Sequence, residues 1–297
     1  MAQFEIISAI SEFAFMRRAL VGSMALAMGC APVGVLLLLR RMSLFGDALS
    51  HAVLPGAAIG FLLGGLTLPW LAGGGLTLPW LAGGGLIAGL LVALAASVAA
   101  RKSRLNEDAS FAGFYLLALA IGVLIVSKWG SSVDLIHLLF GSVLAIDDPS
   151  LLIVSGVASI TLLWLAIEYR GIVLECADSG FITATSGNGM RFHIGFMVIA
   201  VLNFVAAFQA MGTLMAVGLM MLPAATARLW VERLPMLFAV SWLVALFACV
   251  AGLIASYQWD LPSGPAIVLI AGGLYCLSLL FAPFGLFIRR KARHHAV

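Results

Sequence analysis

"RRMSLFGDALSHAVLPGAAIGFLL", residues 40–63, opens on two arginines and then runs from Leu44 to Leu63 with a single carboxylate, Asp47, and a single imidazole, His51. A helix needs roughly 20 mostly apolar residues to cross a bilayer, and this stretch supplies them. The pattern recurs along the chain. Its 297 residues are 63% hydrophobic and only 10% charged, whereas a soluble domain carries about 25% charged residues. So little charge cannot cover a water-facing surface. Backbone groups in hydrocarbon must be satisfied within the segment, so the sequence predicts an all-α, polytopic integral membrane protein.

Apolar runs predict spans near 17–39, 47–65, 85–100, 111–127, 150–168, 192–209, 212–229, 236–256 and 265–288, giving eight or nine transmembrane helices. "DLIHLLFGSVLAI", 134–146, is too short and mixed for a full span and reads as a half-helix or re-entrant piece. Basic residues set the orientation. Arg40, Arg41, Arg101, Lys102, Arg104, Arg170, Arg191, Arg228, Arg233, Arg289, Arg290, Lys291 and Arg293 fall on one side, and Arg17, Arg18 and Lys128 on the other. The richer side is cytoplasmic by the positive-inside rule, which places the C-terminus inside. The first fifteen residues carry Glu5 and Glu12 and no basic start, so no cleavable signal is expected. Cys30, Cys176, Cys249 and Cys276 are scattered and predict neither disulfides nor a thiolate metal site.

No GxxxxGK[ST], HExxH or GxSxG occurs, so neither a phosphate-binding loop nor these catalytic motifs is present. The chain is not expected to be an enzyme. Asp47 and His51 are the sharpest chemical feature. Four residues apart on a helix, they share a face and can hold one object. A carboxylate at bilayer depth costs about 2.5–3.5 kcal/mol, so it usually faces a cavity or a partner. Carboxylate plus imidazole, without sulfur, suits Mn²⁺, Fe²⁺ or Zn²⁺ rather than Cu(I). The plainer reading makes Asp47 a helix-start residue at the interface and His51 a satisfied core histidine. Pro55 and Gly56 are expected to break the helix and free carbonyls, which tips the balance towards a pathway.

"QAMGTLMAVGLMMLPAATARL", 209–229, places Gly212 and Gly218 as small packing residues and Pro223 as a kink. It reads as a pore-lining or dimer-facing span, or as an ordinary packed one. "LTLPWLAGGG" stands twice in tandem, at 66–75 and 76–85. It reads as a duplication tolerated in an external Gly-rich loop. Residues 168–191 form the longest polar stretch, with Asp178 or Ser179 as a helix cap and Gly187 or Gly189 as a stop. Asp134 with His137, Asp147 with Asp148, and His294 with His295 read as solvated charge. His193, Glu232 and Asp260 read as ordinary polar span ends.

"RRMSLFGDALSHAVLPGAAIGFLL", "LFGSVLAID", "ECADSGF" and "GTLMAVGLMMLPAATARLW" together resemble the membrane permease of zinc/manganese/iron-type ATP-binding-cassette importers, over nearly the whole chain and in the family's order. The resemblance implies one permease domain over 1–297, a homodimer in the bacterial inner membrane, cytoplasmic ATPase subunits and an extracytoplasmic metal-binding protein. It places the metal pathway on Asp47 and His51. It places the ATPase-coupling segment at about 173–189, with Glu175, Cys176, Ala177, Asp178, Ser179 and Gly180. It implies no permanent cofactor, a transported Mn, Zn or Fe ion, and no nucleic acid. The rival reading is a secondary metal transporter driven by an ion gradient, using the same Asp47 and His51.

Overall fold

The computed structural model describes residues 14–42, 44–67, 77–103, 106–129, 146–177 and 189–284. Among them lie nine α-helices and no strand: α1 (Ala14–Leu39), α2 (Phe45–Thr67), α3 (Thr77–Lys102), α4 (Glu107–Trp129), α5 (Asp148–Ala177), α6 (Gly189–Met211), α7 (Thr213–Trp230), α8 (Leu234–Trp259) and α9 (Ser263–Phe281). Every predicted span has its helix. Eight of the nine, all but α2, are long and apolar enough to cross a membrane. The 23 residues of α2 make a helix about 34 Å long, also enough for a crossing. Large apolar side chains on the outside, such as Leu152 at 73% exposure and Leu269 at 72%, suit contact with lipid tails rather than water. All four cysteines are free.

Several ends differ from the sequence reading. α5 continues nine residues past 168, so Glu175, Cys176 and Ala177 form its last turn rather than a separate short helix. α9 stops at Phe281, seven residues short of the expected end. Pro283 follows within two residues, and the position before a proline disfavours helix. The expected break at Pro55 and Gly56 does not occur, because α2 runs unbroken through both. α7 likewise runs through Pro223. A proline in a spanning helix still costs one intrahelical bond, and at Pro55 the carbonyl that loses its donor is that of His51. The second copy of the duplicated decapeptide is not a loop, since from Thr77 onward it is the first part of α3. Residues 68–76, the 134–146 segment except Ile146, 178–188 and the His294–His295 tail lie outside the described residues.

The chain divides into two compact units. One holds residues 1–38, 136–162 and 210–297, and the other 39–135 and 163–209. In the first, small residues bring backbones together. A Cβ on Gly34 would fall 1.7 Å from the Met220 carbonyl oxygen, and one on Gly252 would fall 2.5 Å from the Ile267 Cα. Gly218 sits against a neighbouring helix, its virtual Cβ 2.8 Å from Val268. Gly212 does something else. It is the single residue between α6 and α7, buried, with φ 87° and ψ 168°. Those angles are open to glycine alone, so Gly212 divides two helices rather than packing one against another. At the far end of α5, Asp147 is a helix cap. Its Oδ1 accepts from the Ser150 N–H at 3.0 Å, and its carbonyl accepts from the Leu151 N–H at 3.0 Å. Arg18 pairs with the neighbouring Asp148 at 2.7 Å. That pair holds the starts of α1 and α5 together.

Candidate functional site: an open acid–imidazole face and a buried charge cluster

Both candidate sites lie in the second unit. α2 has two faces. Phe45, Ala48, Leu49, Ala52 and Val53 are buried to 1% exposure or less. Gly56 of that helix meets Gly84 of α3 so closely that a Cβ on either would fall within 2.3 Å of the other's carbonyl oxygen. Pro55 fits against Gly122 of α4, whose virtual Cβ lies 2.7 Å from the Pro55 ring. The glycines of α3 and α4 therefore let two neighbours clamp α2 from one side, as small residues do between membrane helices.

The remaining face carries the acid and the imidazole. Asp47 lies in the first turn of α2, where the helix dipole favours a negative charge. His51 lies one turn on. Its Nε2 is 3.9 Å from Asp47 Oδ1, with side-chain exposures of 37% for His51 and 59% for Asp47. That distance is too long for a hydrogen bond. The ring of His51 is instead fixed by stacking on Tyr115 of α4, centroids 5.6 Å apart and planes 24° apart. Leu44, 46% exposed, lies on the same face. Carboxylate oxygen and imidazole nitrogen thus stand a turn apart, unbonded to each other and open to the outside of the single chain. They can serve as two donors to one cation.

The second cluster joins residues far apart in sequence. Arg40 follows the last residue of α1. Its guanidinium is in direct contact with the Glu175 carboxylate, and the two side chains are 7% and 2% exposed. Arg40 Nη1 donates to His193 Nδ1 at 3.0 Å, and Arg40 Nε donates to the Cys176 sulfur at 3.4 Å. Accepting at Nδ1 places the ring proton of His193 on Nε2. His193 is 2% exposed, its Nδ1 3.5 Å from Glu175 Oε1. The ring of Phe196 closes the site, 4.3 Å from the guanidinium carbon. Removing one partner from such a buried pair costs about 3–5 kcal/mol, because the other is left charged and unpaired. On the surface beside it, Arg191 pairs with Glu168 at 2.6 Å.

Two of the residues expected to face an ATPase, Glu175 and Cys176, therefore point at Arg40 instead. Asp178, Ser179 and Gly180 lie outside the described residues. Sequence reading missed this cluster altogether, treating Arg40 only as a topology marker and His193 only as a polar span end. The one signal available was the presence of unlike charges at the ends of three apolar runs.

A model of the "ABC 3 transport family" matches residues 12–282. The manganese transport system membrane protein MntC of Halalkalibacterium halodurans is 32% identical over 92% of this chain and 89% of its own length. The chelated iron transport system membrane protein YfeD of Yersinia pestis is 29% identical over 94% of this chain and 89% of its own. Among solved structures, PsaBC from Streptococcus pneumoniae in complex with Fab has a chain that superposes with a TM-score of 0.80 at 31% identity, covering 97% of this chain and 99% of that one.

Proposed function

Since this chain belongs to the ABC 3 transport family, we propose that it is the membrane permease of an ATP-binding-cassette importer carrying a divalent transition metal inward. The relatives named for manganese and for chelated iron support that cargo class. The donor set adds chemistry. One carboxylate and one imidazole, with no sulfur, suit Mn²⁺ or Fe²⁺ and also admit Zn²⁺. Manganese is the cargo we favour.

The observation that carries the reading is the open face of α2. A carboxylate facing lipid is disfavoured, by about 2.5–3.5 kcal/mol at the bilayer centre and by less near a helix end, so the exposed face bearing Asp47 and His51 favours cover. A second copy across a two-fold axis provides it. Two Asp47 and two His51 then line one route, giving four oxygen and nitrogen donors. A transport site of this kind must release what it binds, which fits a donor pair held apart in the single chain. The whole chain acts as one permease domain, with its C-terminus on the cytoplasmic side, where the basic residues concentrate. ATP is hydrolysed by a partner chain, and an extracytoplasmic binding protein supplies the ion. The coupling segment is 173–189. Glu175 and Cys176 anchor it inside the permease, leaving Ala177, Asp178, Ser179 and Gly180 to meet the ATPase.

The test is ATP-dependent Mn²⁺ uptake into proteoliposomes holding permease, ATPase and binding protein, with Fe²⁺ and Zn²⁺ as competitors. The wild type takes up metal only with ATP. Asp47→Ala and His51→Ala each abolish uptake while the complex still assembles. Normal uptake by the double variant would remove the site assignment. Uptake driven by an ion gradient without ATP would remove the importer reading.

A further inference from the structure

We propose that Arg40, Glu175 and His193 form a mechanical joint that carries movement of the α5 and α6 ends to the metal-facing turn of α2. Arg40 is the positioning residue at its centre. The inference rests on the permease reading above and adds to it the route by which an ATPase reaches Asp47.

Three observations place the joint. Glu175 is two residues from the end of α5, and His193 is four residues into α6. Both side chains, each 2% exposed, meet on Arg40. The two helix ends that flank residues 178–188 are thus held to one guanidinium. The second observation is the tightness of the connection from Arg40 to α2. Arg41 takes a left-handed conformation, φ 60°. Met42 and Phe45 are both 0% exposed, and the Phe45 ring sits edge-on to Phe111 at 5.1 Å. The Phe45 N–H donates to the Met42 carbonyl at 3.4 Å, and the Ala48 N–H to the Leu44 carbonyl at 2.8 Å. Met42 and Phe45, on both sides of position 43, are thus buried and hydrogen-bonded, so a displacement of Arg40 is passed to the first turn of α2, where Asp47 stands seven residues on.

The third observation is the chemistry of the contact. A buried ion pair is weak support for stability, and its best-attested use is to fix register. An apolar contact would slide, whereas a guanidinium is planar and its donors point in fixed directions. Here the guanidinium touches a carboxylate and donates to an imidazole nitrogen and a sulfur, on two helices. Packed, hydrogen-bonded joints of this kind pass on small shifts because they occupy discrete arrangements rather than deforming smoothly.

The experiment measures Mn²⁺ uptake and ATP hydrolysis in the same proteoliposomes, with the complete importer carrying wild-type permease, His193→Gln or Arg40→Lys. Failure of the wild type to import Mn²⁺ with ATP defeats the permease reading itself, and the joint with it. With an active wild type, the joint predicts that each variant hydrolyses ATP but imports about ten-fold less metal per ATP. Hydrogen exchange over residues 44–51 supplies a second reading. ATP changes it in the wild type and leaves it unchanged in the variants. Uptake and hydrolysis falling in equal proportion would show a merely structural role and overturn the joint, as would two variants that keep the wild-type ratio. If His193→Gln fails to assemble, Arg40→Lys, which keeps the charge and the stem, is judged by the same outcomes.

Discussion

At Asp47 and His51, replacing the acid by its uncharged isostere separates charge from shape. Asp47→Asn keeps the volume and the helix but loses the anion, and uptake is expected to fall at least about 10–100-fold, the scale seen when support for a bound metal is lost. Tyr115 holds the His51 ring by its face. Tyr115→Phe therefore retains near-normal uptake, and Tyr115→Ala lowers it by about ten-fold, read as Mn²⁺ accumulation against concentration. Asp147 offers a test outside the spans. Hydrogen bonding from Ser150 holds its carboxyl below the ordinary value, with a smaller contribution from Arg18, against partial burial. A lowered folded value means the cap stabilises above the unfolded pKa of about 3.9 and fades as pH drops through the folded one. Asp147→Ala should cost about 1 kcal/mol at pH 6, and this difference should shrink below about pH 4 in thermal unfolding in detergent. Spacing alone made the Asp47–His51 pair legible, because one helical turn is a local fact. The partners of Arg40 were not legible, since 40, 175 and 193 meet only through tertiary packing.

Among the helices, the α2–α3 contact is the most sensitive to added volume. Gly84→Val places a branched side chain against the Gly56 carbonyl and should destabilise by about 1–3 kcal/mol, seen as a lower melting temperature. Gly83→Ala, at a position with nothing within 4 Å of a new Cβ, should not. The apolar runs revealed every described helix because hydrophobic length is written continuously in the sequence. Their ends were less readable. α5 overran its apolar core because Glu175 found a buried partner, which no hydropathy pattern reports. Pro55 did not break α2. A missing N–H removes one bond, while packing by two neighbours, including Gly122 against the proline ring, holds the helix together. Gly212 read as a packing glycine, but its role depends on a backbone angle that residue type permits without dictating.

For the assembled molecule, the exposed face of α2 makes the geometric prediction. In a background with the native cysteines replaced, Leu44→Cys should cross-link two copies of the chain within the membrane. Leu152→Cys, on α5 and more exposed still, should not. Gel mobility after mild oxidation reads the result, and cross-linking at Leu152 alone would move the dimer axis away from Asp47. The membrane class followed from charge content alone, and the family from ordered motifs. What covers the open face cannot be read from one chain, because in the proposed dimer the covering surface belongs to the second copy.

The tandem decapeptide has a genetic consequence. Excising either copy yields the same polypeptide, so contraction of the repeat has a single product. The Gly56–Gly84 contact, whose Gly84 belongs to the second copy, pins α2 to α3. A contracted sequence would join α2 to α3 with ten residues fewer and still carry the glycine pair that holds the two helices together.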